Sequence, residues 1–236
     1  MSNMQNFPIV GRSSLINISK SHSLRCDCKQ SDPKVIELDN LLSGKETIYL
    51  GEFLPDPLAK GIQPVYLQEG DGISVINTLS IQNMSINISD CKQISEEDFS
   101  LLTTNRILQK NDVLLTMDGG TSIGKPVLFD FDGEFTVDSH VAILRPKGIS
   151  PKALVFLLAS PICQLQFQRF ESGASGQTSV TEEDLRRFVI PKSAIAKLET
   201  YIEELSKEKQ RIEEEKQKLN LEEVQMWKNF TQKILN

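Results

Sequence analysis

The chain has 236 residues, of which 39% are hydrophobic and 25% are charged, and its formal net charge is -6 at pH 7. This composition is ordinary for a globular protein, and the acidic balance argues against strong DNA binding through phosphate contacts alone, since Asp and Glu outnumber Lys and Arg even in residues 1–150. The first residues lack the positive and apolar regions of a signal peptide, and the most apolar run, residues 154–159, is too short to span a bilayer. We therefore expect a cytoplasmic protein.

The chemistry-bearing residues do not assemble into a catalytic pattern. Cys26, Cys28, Cys91 and Cys163 contain no zinc-type C-x-x-C pair. Cys26 and Cys28 near His22 leave a metal site open as an alternative, although reduced surface thiols fit a cytoplasmic protein better. There is no nucleophile with a placed histidine, no methyltransferase motif and no nuclease pattern. The sequence predicts a chain that is not an enzyme and binds no cofactor.

Residues 1–44 predict an N-terminal arm followed by a helix. The arm is polar and rich in serine. Asp32 suits the N-cap of the helix and Pro33 its first position. Apolar residues then form one broad face until Gly44 ends the helix. This segment is expected to pack rather than to carry chemistry.

Residues 45–192 predict a β-rich domain with short helices. A buried strand is expected over residues 72–83, interrupted at Asn77, whose amide suits a turn or, alternatively, a contact with adenine. Ser95 and Ser150 are placed to cap short helices. Together with the chain that follows, this pattern predicts an α+β fold.

The centre of this domain is the β-rich stretch of residues 111–145. An apolar run at 113–116 is followed by a glycine-rich loop at 116–125 and by a second apolar run at 127–131. Asp132-Gly133 is a turn signal typical of hairpins. We expect the strands on its two sides to pair with each other.

The glycine-rich loop also approaches a phosphate-binding motif. Gly119, Gly124 and Lys125 fall one residue short of the P-loop spacing. Pro126 stands where a P-loop needs Ser or Thr to hold magnesium, and no helical period follows to supply the N-terminal N–H groups. A glycine loop joining two strands fits better than a nucleotide-hydrolysing site.

A second loop has a functional composition. Residues 172–179 are small and polar, and backbone N–H groups in such loops can approach phosphates closely. Gln177 and Thr178 are candidates for contacts with base edges or phosphates. A flexible linker before the next helix is the alternative. The preceding helix, predicted over 162–170, carries the cation of Arg169.

From Ser193 onward the sequence predicts a long helix. Pro and Gly disappear, charge becomes dense, and apolar residues recur at spacings of three and four. After Leu219 the apolar stripe shifts, as in a stutter. The helix would extend roughly 60 Å and needs a partner for its apolar stripe. The predicted coiled-coil seam consists of Ile195, Leu198, Ile202, Leu205, Ile212, Leu219 and Met226.

Three segments, taken in order, resemble a known family: ILQKNDVLLTMDGGTSIGKPVLF, then SHVAILRP, then SGASGQTSVTEEDLRRFVIP. They are similar to the target-recognition domain of the specificity (S) subunits of type I restriction-modification systems, with relatives at the C-termini of fused adenine methyltransferases. The chain departs from the pattern at Met117, where relatives often carry Arg, and in the extra glycine of Gly119-Gly120.

The resemblance covers residues 45–236 and implies a division into an arm and helix (1–44), a DNA target-recognition domain (45–192) and a long helix (193–236). The domain would recognise one half of a bipartite double-stranded DNA target. The helix would dock an adenine methyltransferase and, in turn, a restriction or translocase subunit; S-adenosylmethionine and ATP would be bound by those partners. A full S subunit has two domains and two helices, so one of each suggests a homodimer on a palindromic target.

Within the DNA hypothesis, the residues chosen for contact are polar or cationic and lie in or beside the family's motifs. The DNA-binding candidates are Lys60, Gln63, Lys125, His140, Arg169, Gln177 and Thr178. The competing hypothesis is a protein-interaction adaptor, or a module that mimics DNA with its acidic surface, using the same helix to bind its partner.

Overall fold

The computed structural model describes residues 28–68, 71–174 and 177–235. The chain divides into two compact units, the first ending at Ile195 and the second beginning at Ala196. The predicted fold class is confirmed: a β-rich α+β domain with short helices is followed by a long C-terminal helix.

The domain is built from short strands interleaved with short helices. Within the described residues the α-helices are α1 (Pro33–Leu42), α2 (Glu96–Ser100), α3 (Pro151–Ala159), α4 (Pro161–Phe170), α5 (Glu182–Arg186) and α6 (Lys192–Leu235). The strands are β1 (Thr47–Tyr49), β2 (Ala59–Lys60), β3 (Ile73–Ile76), β4 (Ile81–Gln82), β5 (Ser85–Ile86), β6 (Lys92–Ile94), β7 (Val113–Thr116), β8 (Pro126–Leu128), β9 (Phe135–Val137), β10 (Val141–Leu144), β11 (Ser172–Ala174), β12 (Gln177–Ser179) and β13 (Val189–Pro191). Short 3-10 helices occupy Cys28–Ser31, Leu50–Phe53, Ile88–Asp90 and Thr104–Arg106.

Polar side chains cap the helices at the positions that the sequence predicted. The Asp32 carboxylate accepts a hydrogen bond from the Lys34 N–H at 2.8 Å, which satisfies one of the free donors at the start of α1. Ser95 and Ser150 cap α2 and α3 in the same way. Gly44 adopts a φ of 74° just beyond α1, a left-handed conformation typical of a helix end.

The main sheet has the strand order β2-β10-β7-β8 and is antiparallel throughout. Every residue of β7 and β10 is buried. Burial on both faces explains why these segments are continuous apolar runs rather than alternating ones. The core on one side of the sheet includes Leu114, Val127 and Ile143.

A second sheet has the order β6-β3-β9, with β3 antiparallel to β6 and parallel to β9. The hairpin predicted at Asp132-Gly133 is therefore wrong, because β8 pairs with β7 while β9 pairs with β3. Phe131 packs against Phe129 and Phe135 with ring centroids 5.7 and 6.0 Å apart. The turn links two sheets around this aromatic cluster instead of joining two neighbours in one sheet.

Two segments that lie far apart in the sequence meet in a two-stranded sheet. β1 pairs antiparallel with β13, with Thr47 opposite Pro191. Just outside this pair, the Lys192 N–H donates to the Glu46 carbonyl at 2.9 Å, and the two side chains form an ion pair at 2.5 Å. The chain therefore leaves the domain next to the place where it enters.

The long helix α6 has 44 residues, which corresponds to about 66 Å at 1.5 Å per residue. Its middle carries ion pairs one turn apart: Arg211 contacts Glu208 and Glu215, each at 2.6 Å. Such pairs on an exposed helix add only modest stability. Of the helices in the described ranges, none is long and apolar enough to cross a membrane.

Candidate functional site

The candidate site begins where β7 ends and β10 starts. The Met117 N–H donates to the His140 carbonyl at 2.8 Å and extends the β7–β10 pairing by one residue. This hydrogen bond sets Asp118 beside His140, with the His140 Nδ1 atom 3.7 Å from the Asp118 Oδ2 atom. Ladder hydrogen bonds fix the backbone on both sides, so the carboxylate projects from a defined strand end.

A second segment reaches the same place because of a glycine. β2 pairs with β10, with Lys60 opposite Ala142. A Cβ atom on Gly61 would lie 1.8 Å from the Val137 carbonyl oxygen, so only glycine permits this approach of the two backbones. Consequently the Lys60 ammonium lies 3.5 Å from the Asp118 carboxylate.

The loop after Gly61 continues along the same edge. Ile62 forms an isolated parallel bridge with Asp138. The Ser139 hydroxyl donates to the Gln63 side-chain oxygen at 2.9 Å. We call the resulting group the Asp118 cluster; it consists of Lys60, Gln63, Asp118, Ser139 and His140. Three DNA-binding candidates predicted from the sequence, Lys60, Gln63 and His140, are thus brought together.

Asp138 holds the backbone next to the cluster in place. Its side chain is buried, and its Oδ1 atom accepts a hydrogen bond from the His140 N–H at 2.9 Å. Burial raises the pKa of Asp138, because a low-dielectric environment disfavours the charged carboxylate. The hydrogen bond fixes the turn between β9 and β10 and hence the position of His140.

The glycine-rich loop of residues 117–125 is closed from inside by Thr116. Its hydroxyl donates to the Ser122 carbonyl and accepts from the Lys125 N–H at 2.9 Å. From α4, the Gln164 side chain donates to the Gly124 carbonyl at 2.8 Å. Within the described ranges the Lys125 ammonium has no ion-pair partner, so its charge remains available at the edge of the loop.

The segment predicted as a loop at residues 172–179 forms a hairpin in the structure. Ser172 pairs with Ser179 and Gly173 with Thr178. The hairpin is docked on the start of the glycine-rich loop, since the Gly119 N–H donates to the Thr178 carbonyl at 3.0 Å. The described residues of this segment therefore form neither a free loop nor a flexible linker, because their backbone pairs within the hairpin and with Gly119, which is remote in the sequence.

Two further candidates lie in this region with different neighbours. The Thr178 hydroxyl donates to Glu171 at 3.3 Å, and Glu171 also binds Lys29 at 2.8 Å. For Gln177 only the backbone is described, in β12. Ser175 and Gly176 lie outside the described residues.

Arg169 lies at the end of α4, among residues of the N-terminal segment. Its Nη1 atom is 2.8 Å from Asp39, and its Nε atom donates to the Gln30 side-chain oxygen at 3.1 Å. These partners differ from those of the Asp118 cluster. In the free chain, Arg169 therefore joins α4 to the segment before it.

Two polar side chains, Asn77 and Gln166, hold the backbone together. The Asn77 side chain accepts from the Leu79 N–H at 2.8 Å, which makes the turn predicted at that position. Gln166 is buried and accepts from the Val189 N–H at 2.7 Å while donating to the Val189 carbonyl. Both side chains satisfy backbone hydrogen-bonding groups of the domain.

The thiols give no support to a metal site in the described residues. Cys28 is exposed, whereas His22 and Cys26 lie outside the described residues. Burial raises the pKa of the Cys163 thiol to about 12, so it stays protonated in the core. No group of three or more metal-ligating side chains occurs in the ranges that the structure describes.

The Asp118 cluster presents donors and an acceptor at an accessible edge. Ammonium and imidazole groups can donate, and the carboxylate accepts. Sequence analysis did not select Asp118 or Ser139. Ser139 stands beside His140 in a quoted motif, and Asp118 opens the glycine-rich loop, so position within the motifs was the available signal.

The helix α6 carries a second candidate surface. Leu205, Ile212, Leu219 and Met226 of the predicted seam are exposed, whereas Ile202 is buried in the single chain. Farther along, the rings of Trp227 and Phe230 contact each other edge to face at 6.0 Å, and both remain about half exposed. Ile195 and Leu198 belong to the first turns of the helix.

Comparison with known proteins finds similarity only among solved structures. No protein-family model and no curated protein matches the sequence. One structure, described as the basis of complex assembly and conformational transition of the type I R-M system, has 14% identity and a TM-score of 0.48, covering 84% of this chain and 50% of that chain.

Two other similar structures are S subunits by name. The S subunit of a type I restriction-modification system from M. genitalium has 16% identity and a TM-score of 0.47, covering 72% of this chain and 41% of its own. The HsdS subunit from Thermoanaerobacter tengcongensis has 13% identity and a TM-score of 0.45, and the match covers 79% of this chain and 46% of that chain. The chain spans about half the length of the chains it matches.

Proposed function

We propose that this chain is a non-catalytic DNA sequence-specificity subunit of a type I-like restriction-modification system, whose β-rich domain recognises one half of a bipartite target. The observation that carries the proposal is the Asp118 cluster. Lys60, Gln63 and His140 were chosen from sequence motifs that lie far apart, yet their side chains share one edge of the domain.

The chemistry of this edge suits base recognition better than phosphate binding. Base edges in the major groove offer a distinct pattern of donors and acceptors for each pair. A site for phosphates alone would carry cations without a carboxylate between them. Lys125, at the rim of the neighbouring loop, is the candidate for a phosphate contact, and Arg169 could serve only after releasing Asp39.

The acidity of the chain affects how strongly it would bind DNA. A net charge of -6 predicts weak binding by the chain alone, because phosphate neutralisation supplies most nonspecific affinity. An adenine methyltransferase docked on α6 would add the missing phosphate contacts. S-adenosylmethionine and ATP would belong to that partner and to a restriction subunit.

The exposed apolar side chains of α6 support the docking and dimerisation parts of the proposal. Side chains such as Leu219 and Trp227 are costly to leave in water along a long helix. A second copy running antiparallel would cover them, and two-fold symmetry would then require a palindromic target. If light scattering showed a strict monomer at high micromolar concentration, the homodimer would be wrong. Pairing with another half subunit would then remain as the proposal.

The second candidate function is a protein-interaction adaptor or DNA mimic, favoured by the same net charge of -6. The two functions are separated by selecting bound duplexes from a random DNA pool at moderate salt, with the full chain alone and with its methyltransferase partner. Two inverted half-sites at fixed spacing are the expected result. The absence of enrichment under both conditions would support the adaptor.

A further inference from the structure

The carboxylate of Asp118 occupies an unusual place for a DNA-contacting surface. Its backbone is fixed on both sides, since Asp118 forms an isolated bridge with Ser179 while Met117 bonds to both His140 and Val180. The side chain is only 25% exposed but remains accessible at the strand end. A group held so firmly can make a directional hydrogen bond without losing much conformational freedom.

The acceptor capacity of this carboxylate is not filled. The Lys60 ammonium lies 3.5 Å and the His140 Nδ1 atom 3.7 Å from the same oxygen, Oδ2. Charge-assisted hydrogen bonds are ordinarily about 2.7–2.9 Å long. The Oδ1 atom accepts no hydrogen bond from any described residue. The two neighbouring donors offset the negative charge without saturating the acceptor.

A carboxylate near DNA is repelled by phosphates, so it needs a donor on the base edges. In the major groove that donor is an exocyclic amino group, of cytosine N4 or adenine N6. We propose that Asp118 and Lys60 together recognise one C·G base pair of the half-site: Asp118 accepts from cytosine N4, and Lys60 donates to guanine O6 and N7. This inference rests on the proposed function and names the specificity of that same site.

The spacing of the two side chains matches the spacing on the base pair. Cytosine N4 and guanine O6 are joined by a Watson–Crick hydrogen bond of about 2.9 Å, so a donor and an acceptor lie side by side on the groove edge. The Lys60 ammonium and the Asp118 carboxylate present the complementary donor and acceptor, respectively, 3.5 Å apart. One rigid pair can therefore contact both bases at once.

An A·T pair also sets an amino group beside a carbonyl oxygen, but it adds the C5-methyl group of thymine. That methyl is recognised by apolar contacts. The neighbouring side chains in the Asp118 cluster, Gln63, Ser139 and His140, are polar. Guanine instead offers N7 as a second acceptor for the ammonium, so the pair favours C·G.

The test compares the DNA-selection profiles of four full-length chains: wild type, Asp118→Ala, Lys60→Met and Asp132→Asn. Asp118→Ala, which removes the acceptor, and Lys60→Met should flatten the same C·G position and no other. Discrimination at that position should fall about 5- to 150-fold, as expected for loss of one base contact. Asp132→Asn removes an equal charge from an exposed turn and should leave the profile unchanged.

A second arm changes the DNA base, so that its first result comes from wild-type protein and the variant serves as the comparison. Duplexes carrying N4-methylcytosine at the enriched position should bind more weakly than unmethylated duplexes to wild type, whereas Asp118→Ala should bind both nearly equally. If the methyl group has the same effect on both proteins, Asp118 does not contact that amino group.

The outcomes separate this inference from the proposed function. If wild type enriches a sequence and Asp118→Ala shows the same profile, whatever the uniform change in affinity, Asp118 is only a positioning residue for Lys60 and the inference alone is overturned. Flattening of an A·T position would overturn it as well. Failure of wild type to enrich any sequence, with or without its partner, would overturn the proposed function and the inference together.

Discussion

The guanidinium of Arg145 forms a bidentate ion pair with the carboxylate of Asp112, with Nε 2.7 Å from Oδ1 and Nη2 2.9 Å from Oδ2. Asp112 precedes β7 and Arg145 follows β10, so the pair joins the two central strands at the end opposite the Asp118 cluster. The same carboxylate accepts from the Gln109 N–H, and Arg145 also donates to the Ile107 carbonyl. Two residues of the family-like motifs thus have a structural role.

Replacing Asp112 by Asn should lower the free energy of unfolding by about 2–4 kcal/mol, because it leaves a cation and its buried surroundings without a counter-charge. The partial exposure of Arg145 keeps the loss below that of a fully buried pair. Urea denaturation measures it. Asp132→Asn breaks an exposed pair with Lys110 and should cost nothing measurable; equal losses in the two variants would contradict the role given to Asp112.

Gly61→Ala tests whether close backbone approach builds the site. Its Cβ would meet the Val137 carbonyl oxygen at 1.8 Å, so β2 must move, and a loss of at least about 2 kcal/mol is expected. The matched control is Gly44→Ala, where φ is 74° but nothing lies within 4 Å; it should cost only about 1 kcal/mol of backbone strain. Thermal unfolding compares them, and similar losses would mean that β2 accommodates the methyl group.

Asp138→Asn should change how stability depends on pH. The pKa of Asp138 is raised above its ordinary value of 3.8 in the folded chain, so the folded state holds this proton at pH values where the unfolded chain has lost it. The contribution of Asp138 to stability is therefore greatest below the ordinary pKa and falls as pH rises through the raised one. The asparagine keeps an acceptor for the His140 N–H but does not titrate.

The measurement is the difference in unfolding free energy between wild type and Asp138→Asn from pH 4 to pH 7. The variant should become more stable relative to wild type as pH rises. Subtracting the same series for Asp132→Asn removes effects common to any lost carboxylate. A difference that stays constant with pH would show that the environment of Asp138 does not disfavour its charge.

Lys125 and Gln177 should separate phosphate contact from base contact. Lys125→Ala should weaken binding to all sequences alike and reduce the slope of log affinity against log salt by about 1. Gln177→Ala should instead relax preference at one position of the target. Titrations at several salt concentrations and sequence selection measure both effects, and unchanged affinity and preference in both variants would remove these residues from the interface.

Leu219→Ser tests the helix surface, with Gln217→Ser as its matched control on the same exposed stretch of α6. If a second helix covers the apolar seam, the leucine variant should shift the self-association midpoint to a concentration at least about a hundredfold higher, as expected for loss of roughly 1.5 kcal/mol or more of burial from each of the two copies. Light scattering over a concentration series measures it. Equal midpoints for the two variants would place Leu219 outside the interface.

Local signals predicted the local structure well. Asp32, Ser95 and Ser150 cap helices because a cap depends on residues within one turn. The long helix followed from spacing and from the absence of Pro and Gly. The runs that form β7 and β10 were visible because burial on both faces leaves them almost wholly apolar.

The missed features depend on contacts between distant segments. The turn at Asp132-Gly133 has hairpin chemistry, yet the strands around it find partners in separate sheets. The described residues between Ser172 and Ser179 have low strand propensity, and their pairing with each other and with Gly119 depends on a segment remote in the sequence. Asp118 becomes a candidate site residue only because the fold places Lys60, 58 residues away in the sequence, beside it.

The pairing of β1 with β13, closed by Glu46 and Lys192, has a consequence for the architecture of larger chains. Since Glu46 and Lys192 lie side by side, another segment with the same paired ends could be grafted between them without changing where the long helix starts, if it also offers partners to Lys29 and Asp39, which Glu171 and Arg169 now contact. The same proximity would tolerate a circular permutant, with the old ends joined and new ones opened in an exposed turn such as that around Asp132. The segment between the paired strands and the long helix could then change independently, by exchange of one contiguous piece of gene.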